Sequence, residues 1–337
     1  MRQGFGGRRR ALAAVALLAA VSTVAVLRWR ASAPRVGASA EPPGSAEPAR
    51  PASSVAPLAL PAQARVVVFA PHPDDETVGV GGLLFRLAQG HTPLRAVFVT
   101  NGDGYRRALE QDFAVERPTD ADYVALGELR QREALAALGH LGVARRDVRF
   151  LGFPDGGLAE LWRAHWLRTH PYTSPYTKES SPPDAEGVGY DGQDLTSVVS
   201  GILRDFGPTL VVMPHPYDTH LDHAHASYFV TEALSELEAS GVLAPVPTVL
   251  TYLVHYPRWP ALRGPGFDRE LPLAELPDTR WSESELAPAE LAAKRAALEE
   301  YRSQLGVMNG FLRHFLCRNE LFATVDPLVL TRIAAVH

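Results

Sequence analysis

Short β-branched runs alternate with longer stretches of helical spacing through the middle of this chain, and most of the runs end in a polar loop. Arg65 to Ala70, Leu94 to Thr100, Val148 to Gly152, Thr209 to Met213 and Pro247 to Val254 read as strands. Thr77 to Gln89, Asp122 to Leu141, Leu195 to Asp205 and Ala224 to Glu238 read as helices. Such alternation means a Rossmann-like α/β fold, with a mostly parallel sheet and helices on both faces. In open sheets of this kind the reactive groups lie outside the carboxyl ends of strands, where the strand order reverses.

Two of the loops are rich in metal-ligating groups. Pro71-His72-Pro73-Asp74-Asp75-Glu76 follows the first strand, and His215-Pro216-Tyr217-Asp218-Thr219-His220-Leu221-Asp222-His223 follows the fourth. Imidazoles and carboxylates three residues apart are how loops supply ligands to one divalent ion, so both loops facing one crevice make a hydrolytic metal site. The competing reading, a helix cap by His72 and Asp75, needs one such residue and not a His with three acids. His220 and His223 lie one turn apart at a helix start and can point the same way, whereas His225 points away, to surface or packing. His215 is a supporting residue of the site or a structural one, and Asp222 reads as orienting an imidazole.

The chain begins differently. Arg2, Arg8, Arg9 and Arg10 precede an uncharged run from Ala11 to Leu27, so residues 1–30 read as a signal or membrane anchor that places the remainder outside the cytoplasm. Residues 31–64, rich in Ala, Pro, Ser and Gly, read as a disordered tether, and 65–337 as the folded domain. After Ala64, 25 basic residues face 36 acidic ones, a balance that disfavours nucleic acid as a partner. Cys317 is the only cysteine, which excludes an intrachain disulfide and a cysteine-zinc cluster.

The ordered set of motifs resembles the PIG-L/LmbE family of zinc-dependent N-acetylglucosaminyl deacetylases. It comprises the two loops, Thr100-Asn101-Gly102-Asp103, Arg130-x-x-Glu133, Leu151-Gly152-Phe153-Pro154-Asp155-Gly156, Lys294-Arg295, Tyr301-Arg302-Ser303-Gln304 and Glu320-Leu321-Phe322. The resemblance covers roughly residues 65 to 325. It implies the LmbE-like deacetylase fold and one zinc per chain, with other divalent ions possible, held by His72, Asp75 and His223. It further implies Asp74 as general base, with His220 stabilising or protonating the reacting centre. The implied reaction is hydrolysis of the acetamide of an N-acetylglucosamine-type sugar or glycoconjugate. His215 belongs to a longer form of the second motif found in part of the family. Asp218 stands where some relatives carry a tyrosine that helps at the oxyanion, which leaves that auxiliary role unassigned.

Other features have plainer readings. Gly79, Gly81 and Gly82 match a phosphate loop poorly and suit a helix packed closely on a sheet. Arg130 with Glu133 reads as a helix-face pair or a structural bond, with substrate contact as the lesser alternative, and Tyr301 and Gln304 read as core. Ala159 to Tyr190 holds Trp162, Trp166, Tyr172, Tyr176 and Tyr190, which cover a pocket or pack on one another; Trp259 and Trp281 could join that rim. A non-catalytic carbohydrate-binding protein is the alternative function, but it has no need of an acid beside the ligand set. A metal phosphoesterase would call for more ligands and a second ion.

Overall fold

The computed structural model describes residues 55–325 apart from 184, 262, 263, 265 and 268. Eight strands form one sheet: β1 (Ala56–Pro57), β2 (Val66–Ala70), β3 (Leu94–Thr100), β4 (Val148–Phe153), β5 (Leu210–Pro214), β6 (Thr248–Tyr252), β7 (Thr279–Glu285) and β8 (Asn319–Val325). Their order is β1-β7-β8-β6-β5-β2-β3-β4. The helices are α1 (Asp75–Gln89), α2 (Arg106–Gln111), α3 (Asp120–His140), α4 (Leu158–Arg163), α5 (Gly192–Phe206), α6 (Leu221–Ala239), α7 (Pro288–Leu298) and α8 (Arg302–Arg313).

β2 to β6 pair in parallel, as their alternation with helices requires. The central strand β2 is Val-Val-Val-Phe-Ala and wholly buried, because helices cover both of its faces. Val66 and Val68 point into one apolar cluster, Val67 and Phe69 into the other. From β2 the chain moves outward through β3 and β4, then returns to add β5 and β6 on the opposite side. The carboxyl ends of β2 and β5 therefore border the point of reversal, and the two ligand-rich loops leave from there.

The far side of the sheet departs from the sequence reading. β7 and β8 pair antiparallel along their whole length, and β8 also meets β6 antiparallel. β7 reads Thr-Arg-Trp-Ser-Glu-Ser-Glu and gives no apolar alternation to announce a strand. Residues 56–60, expected to belong to the tether, are part of the fold: Ala56 and Pro57 pair with β7, Leu58 N donates to Glu283 O at 2.7 Å, and Leu58 and Leu60 pack on the core. A two-residue strand with both side chains exposed leaves no periodic trace. The Lys294-Arg295 motif lies on α7 and Arg302-Ser303-Gln304 on α8, and the turn between the two helices holds Tyr301 fully buried. The expected signal or anchor and most of the expected tether lie outside the described residues. Among those described, no helix is long and apolar enough to cross a membrane.

The α1 glycines do allow close packing. A Cβ on Gly79 would stand 2.3 Å from the Tyr252 ring, and one on Gly82 would stand 2.3 Å from Leu286. Gly79→Ala is expected to destabilise the fold by about 1–3 kcal/mol through overpacking, read as a lower urea midpoint with an unchanged m-value.

Candidate active site

The loop between β2 and α1 is built under strain. Asp74 has φ 129° and ψ −29°, a conformation that costs a residue with a side chain free energy and persists only where its surroundings enforce it. Two buried groups enforce it. Glu76 accepts from Asp74 N at 3.2 Å and from the hydroxyls of Thr77 and Tyr301, and burial pushes its carboxyl up to about 7. Arg130, 4% exposed, donates to Pro73 O at 2.7 Å, to Gly102 O at 2.8 Å and to Asp74 Oδ2 at 3.3 Å.

On the opposite wall, α6 starts at Leu221 with His220 as its N-cap and His223 in its first turn. Here the two loops converge. His72 Nδ1, Asp75 Oδ2 and His223 Nε2 form a triangle with sides of 3.2, 3.2 and 3.3 Å. Donors on the edges of a tetrahedron around an ion at about 2.0–2.1 Å stand about 3.3 Å apart, so the triangle fits a zinc-sized cation. Protons fit it poorly, since two imidazole nitrogens facing each other at 3.3 Å cannot both carry one.

The outer nitrogens are equally well held. His72 Nε2 lies 3.1 Å from both Asp155 Oδ1 and Asp222 Oδ2, and His223 Nδ1 lies 3.1 Å from Asp218 Oδ2. Carboxylates behind ligating imidazoles fix their tautomer and raise their basicity. Burial lowers the His223 pKa, yet Asp75 and Asp218 outweigh it and hold it up at about 10. The cluster calls for positive charge.

His220 behaves differently. Burial, reinforced by His72, His223 and His255, lowers its pKa to about 3, so the imidazole is neutral at neutral pH, and a cation nearby pushes the same way. Of the stabilising and protonating roles expected of it, a neutral imidazole suits stabilisation by hydrogen-bond donation. Its Nδ1 is buried and has no partner. Asp74 is raised to about 8 by burial, with Asp75 adding and Arg130 opposing.

These groups form the floor of a cleft of ≈ 290 Å³. A larger hollow of ≈ 370 Å³ beside β4 contains none of the His/Asp cluster. Of the residues singled out from sequence, His72, Asp74, Asp75, Arg130 and His220 line the cleft, while His223, Asp218 and Asp222 are buried behind it. Asp222 orients His72, and also accepts from Gly156 N at 2.7 Å and Leu158 N at 3.1 Å. Asp218 accepts from His223, His220 N, Val254 N and His255 N. Asp218→Ala is expected to weaken zinc binding by about 10–100-fold, measured by competition with a chromogenic chelator.

The remaining residues singled out from sequence lie outside the cluster or beside it. His215 does not reach the cluster; it meets Tyr217 N and Thr279 Oγ1 and stacks near Trp281, because it lies where β5 passes into its loop. Arg130 and Glu133 do not bond to each other, since Glu133 faces α8 and accepts from Ser303 N and Oγ. Trp162 and Trp166 pack on Phe229, and Tyr190 donates to Gly152 O, so of the insertion aromatics only Tyr176 lines the cleft. Trp259 and Trp281 donate to Pro272 O and Ala274 O, away from the rim. His225 is packing, its Nδ1 2.7 Å from Leu221 O. Sequence alone assigns no role to Asp155 or His255 and places Gln304 in the core, whereas all three line the cleft. Asp155 sits in a strand-end Pro-Asp-Gly motif and was open to discovery by the rule that exposed His72 and Asp222. His255 is a lone imidazole after an apolar strand and carries no such signal.

Fold and site together define a doubly wound α/β protein with a His/Asp cluster at its switch point that could hold a metal ion. Residues 67–234 match the family model described as PIG-L, GlcNAc-PI de-N-acetylase. The chain belongs to the PIG-L/LmbE family. It is 29% identical over 160 residues to the 2'-N-acetylparomamine deacetylase of Streptomyces fradiae, covering 47% of this chain and 48% of that one. With the 1D-myo-inositol 2-acetamido-2-deoxy-alpha-D-glucopyranoside deacetylase of Rhodococcus opacus it shares 30% over 183 residues, 52% and 54% of the two chains. It thus spans about half the length of these relatives. A conserved protein of Thermus thermophilus has the same fold, with a TM-score of 0.50 at 20% identity over 78% of this chain and 95% of that one.

Proposed function

We propose that this chain is a zinc-dependent hydrolase that removes the acetyl group from the amide nitrogen of an N-acetylglucosamine-type sugar or glycoconjugate. The observation that carries the reading is the donor triangle of His72, Asp75 and His223 beside Asp74, a buried acid held in strain and outside the triangle. The family match and the substrates named for the relatives support the deacetylation. His72, Asp75 and His223 would hold the ion, which supplies Lewis acidity, brings the pKa of water to about 7, and lowers that of the neighbouring Asp74.

Asp74 then takes the proton of the attacking water and delivers it to the departing amine nitrogen. Arg130 fixes the carboxylate for that transfer. Neutral His220 donates a hydrogen bond to the acetyl oxygen as negative charge develops there. A binding protein would gain nothing from keeping Asp74 strained and buried, which favours the enzyme over the carbohydrate-binding alternative. The basic, apolar start of the chain supports an extracytoplasmic domain that is exported or membrane-anchored.

Zinc-loaded protein is expected to release acetate and free amine in equal amounts from at least one of N-acetylglucosamine glycosides, N,N'-diacetylchitobiose and peptidoglycan fragments. Absence of acetate from all three classes would contradict the reading.

A further inference from the structure

The cleft is lined by apolar as well as polar groups. Tyr105, Tyr176, Val254, Met308, Phe311 and Leu312 line it together with the His/Asp cluster, and Val254 and Leu312 among them are buried. Four of the lining residues, Gln304, Met308, Phe311 and Leu312, come from α8, which departs from helical geometry at Met308 (φ −117°, ψ 19°). Gln304 is fully buried, and its Oε1 has no partner in the protein. The surrounding bonds fix which end of the amide that is. Ser303 Oγ gives its only proton to Glu133 at 2.6 Å, so it can only accept, at 3.0 Å, from Gln304 Nε2. A buried acceptor without a donor is costly, and here it lines the cleft beside the reacting groups.

The charges narrow the occupant. Among the described residues, Arg130 is the only lysine or arginine lining the cleft; its Nη1 and Nη2 are engaged by Gly102 O, Pro73 O and Asp74, leaving Nε alone. No paired grip on a carboxylate or phosphate is available, and Asp74 and Asp155 in the same cleft repel one.

Building on the deacetylase reading, we propose that α8 reads the substrate: Gln304 accepts a hydrogen bond from the acetylated sugar, and Met308 and Phe311 carry an uncharged, apolar aglycone. This separates the chain from a deacetylase for polar or acidic small-molecule conjugates.

The test is calorimetric binding to the zinc-loaded full-length Asp74→Asn protein, using the methyl, octyl and malyl glycosides of N-acetylglucosamine, together with wild-type kinetics. The octyl glycoside is expected to bind about tenfold or more tightly than the methyl one, and the malyl no more tightly than the methyl. Phe311→Asn should bring the octyl-to-methyl ratio below about threefold. Gln304→Leu should raise KM for both neutral glycosides by about tenfold, more than it lowers kcat. Equal affinity for octyl and methyl glycosides, or preference for the malyl one, overturns the proposal. A clear octyl preference with no acetate released from any glycoside supports this assignment and removes the deacetylase reading instead.

Discussion

Asp74→Asn is expected to lower kcat for acetate release by about 10²–10⁴-fold while one zinc stays bound per chain. The amide preserves the shape of the side chain and can still accept from Arg130, but it cannot take a proton from water. Asp74 lies outside the triangle of His72, Asp75 and His223, and the polar side-chain partner of its carboxylate is Arg130. Metal content should therefore remain at the wild-type level, and KM should move little. The checks are elemental analysis of the purified variant and single-turnover acetate release. Unchanged turnover would reassign the base, and loss of zinc would make Asp74 a ligand. The contrast with Arg130→Met is informative, since that change leaves the acid in place but removes the strap from Pro73 O and Gly102 O.

Much of this site was legible because its residues follow strands. β2 and β5 are strongly apolar, so their ends are well marked, and the His and Asp residues just beyond them had to meet at the switch point. The spacing of His72 and Asp75, and of His220 and His223, shows which pairs face one another across a helical turn. What stayed hidden depends on contacts distant in sequence. Asp218 holds His223, yet it also organises Val254 and His255, and nothing local announces that. Gln304 resembles a core residue because its Nε2 is satisfied by Ser303; only the orphan Oε1 separates the two readings. The antiparallel β7 and β8 escaped because Ser and Glu dominate one of them. In the aromatic insertion composition leaves pocket cover and mutual packing both open, and Trp162 and Trp166 take the second.

His223→Ala should have the larger structural effect. His223 is fully buried between Asp75 and Asp218, and its removal leaves two buried carboxylates without their shared positive partner. Truncating one member of such a buried set costs about 3–5 kcal/mol, so the metal-free variant should unfold at a much lower urea concentration. Zinc should no longer offset that loss. A ligand at about 1,000 times its Kd adds about 4 kcal/mol to the wild type, and the variant should gain little of it.

The most direct measurement is therefore a zinc titration of the metal-free wild-type chain beside its His72→Ala and His223→Ala variants, read by calorimetry and confirmed by elemental analysis. One zinc per wild-type chain, with no comparable site in either variant, is the predicted result. A wild type without a tight site, or a variant that still binds one zinc with unchanged affinity, would contradict convergence of the two loops on a single ion.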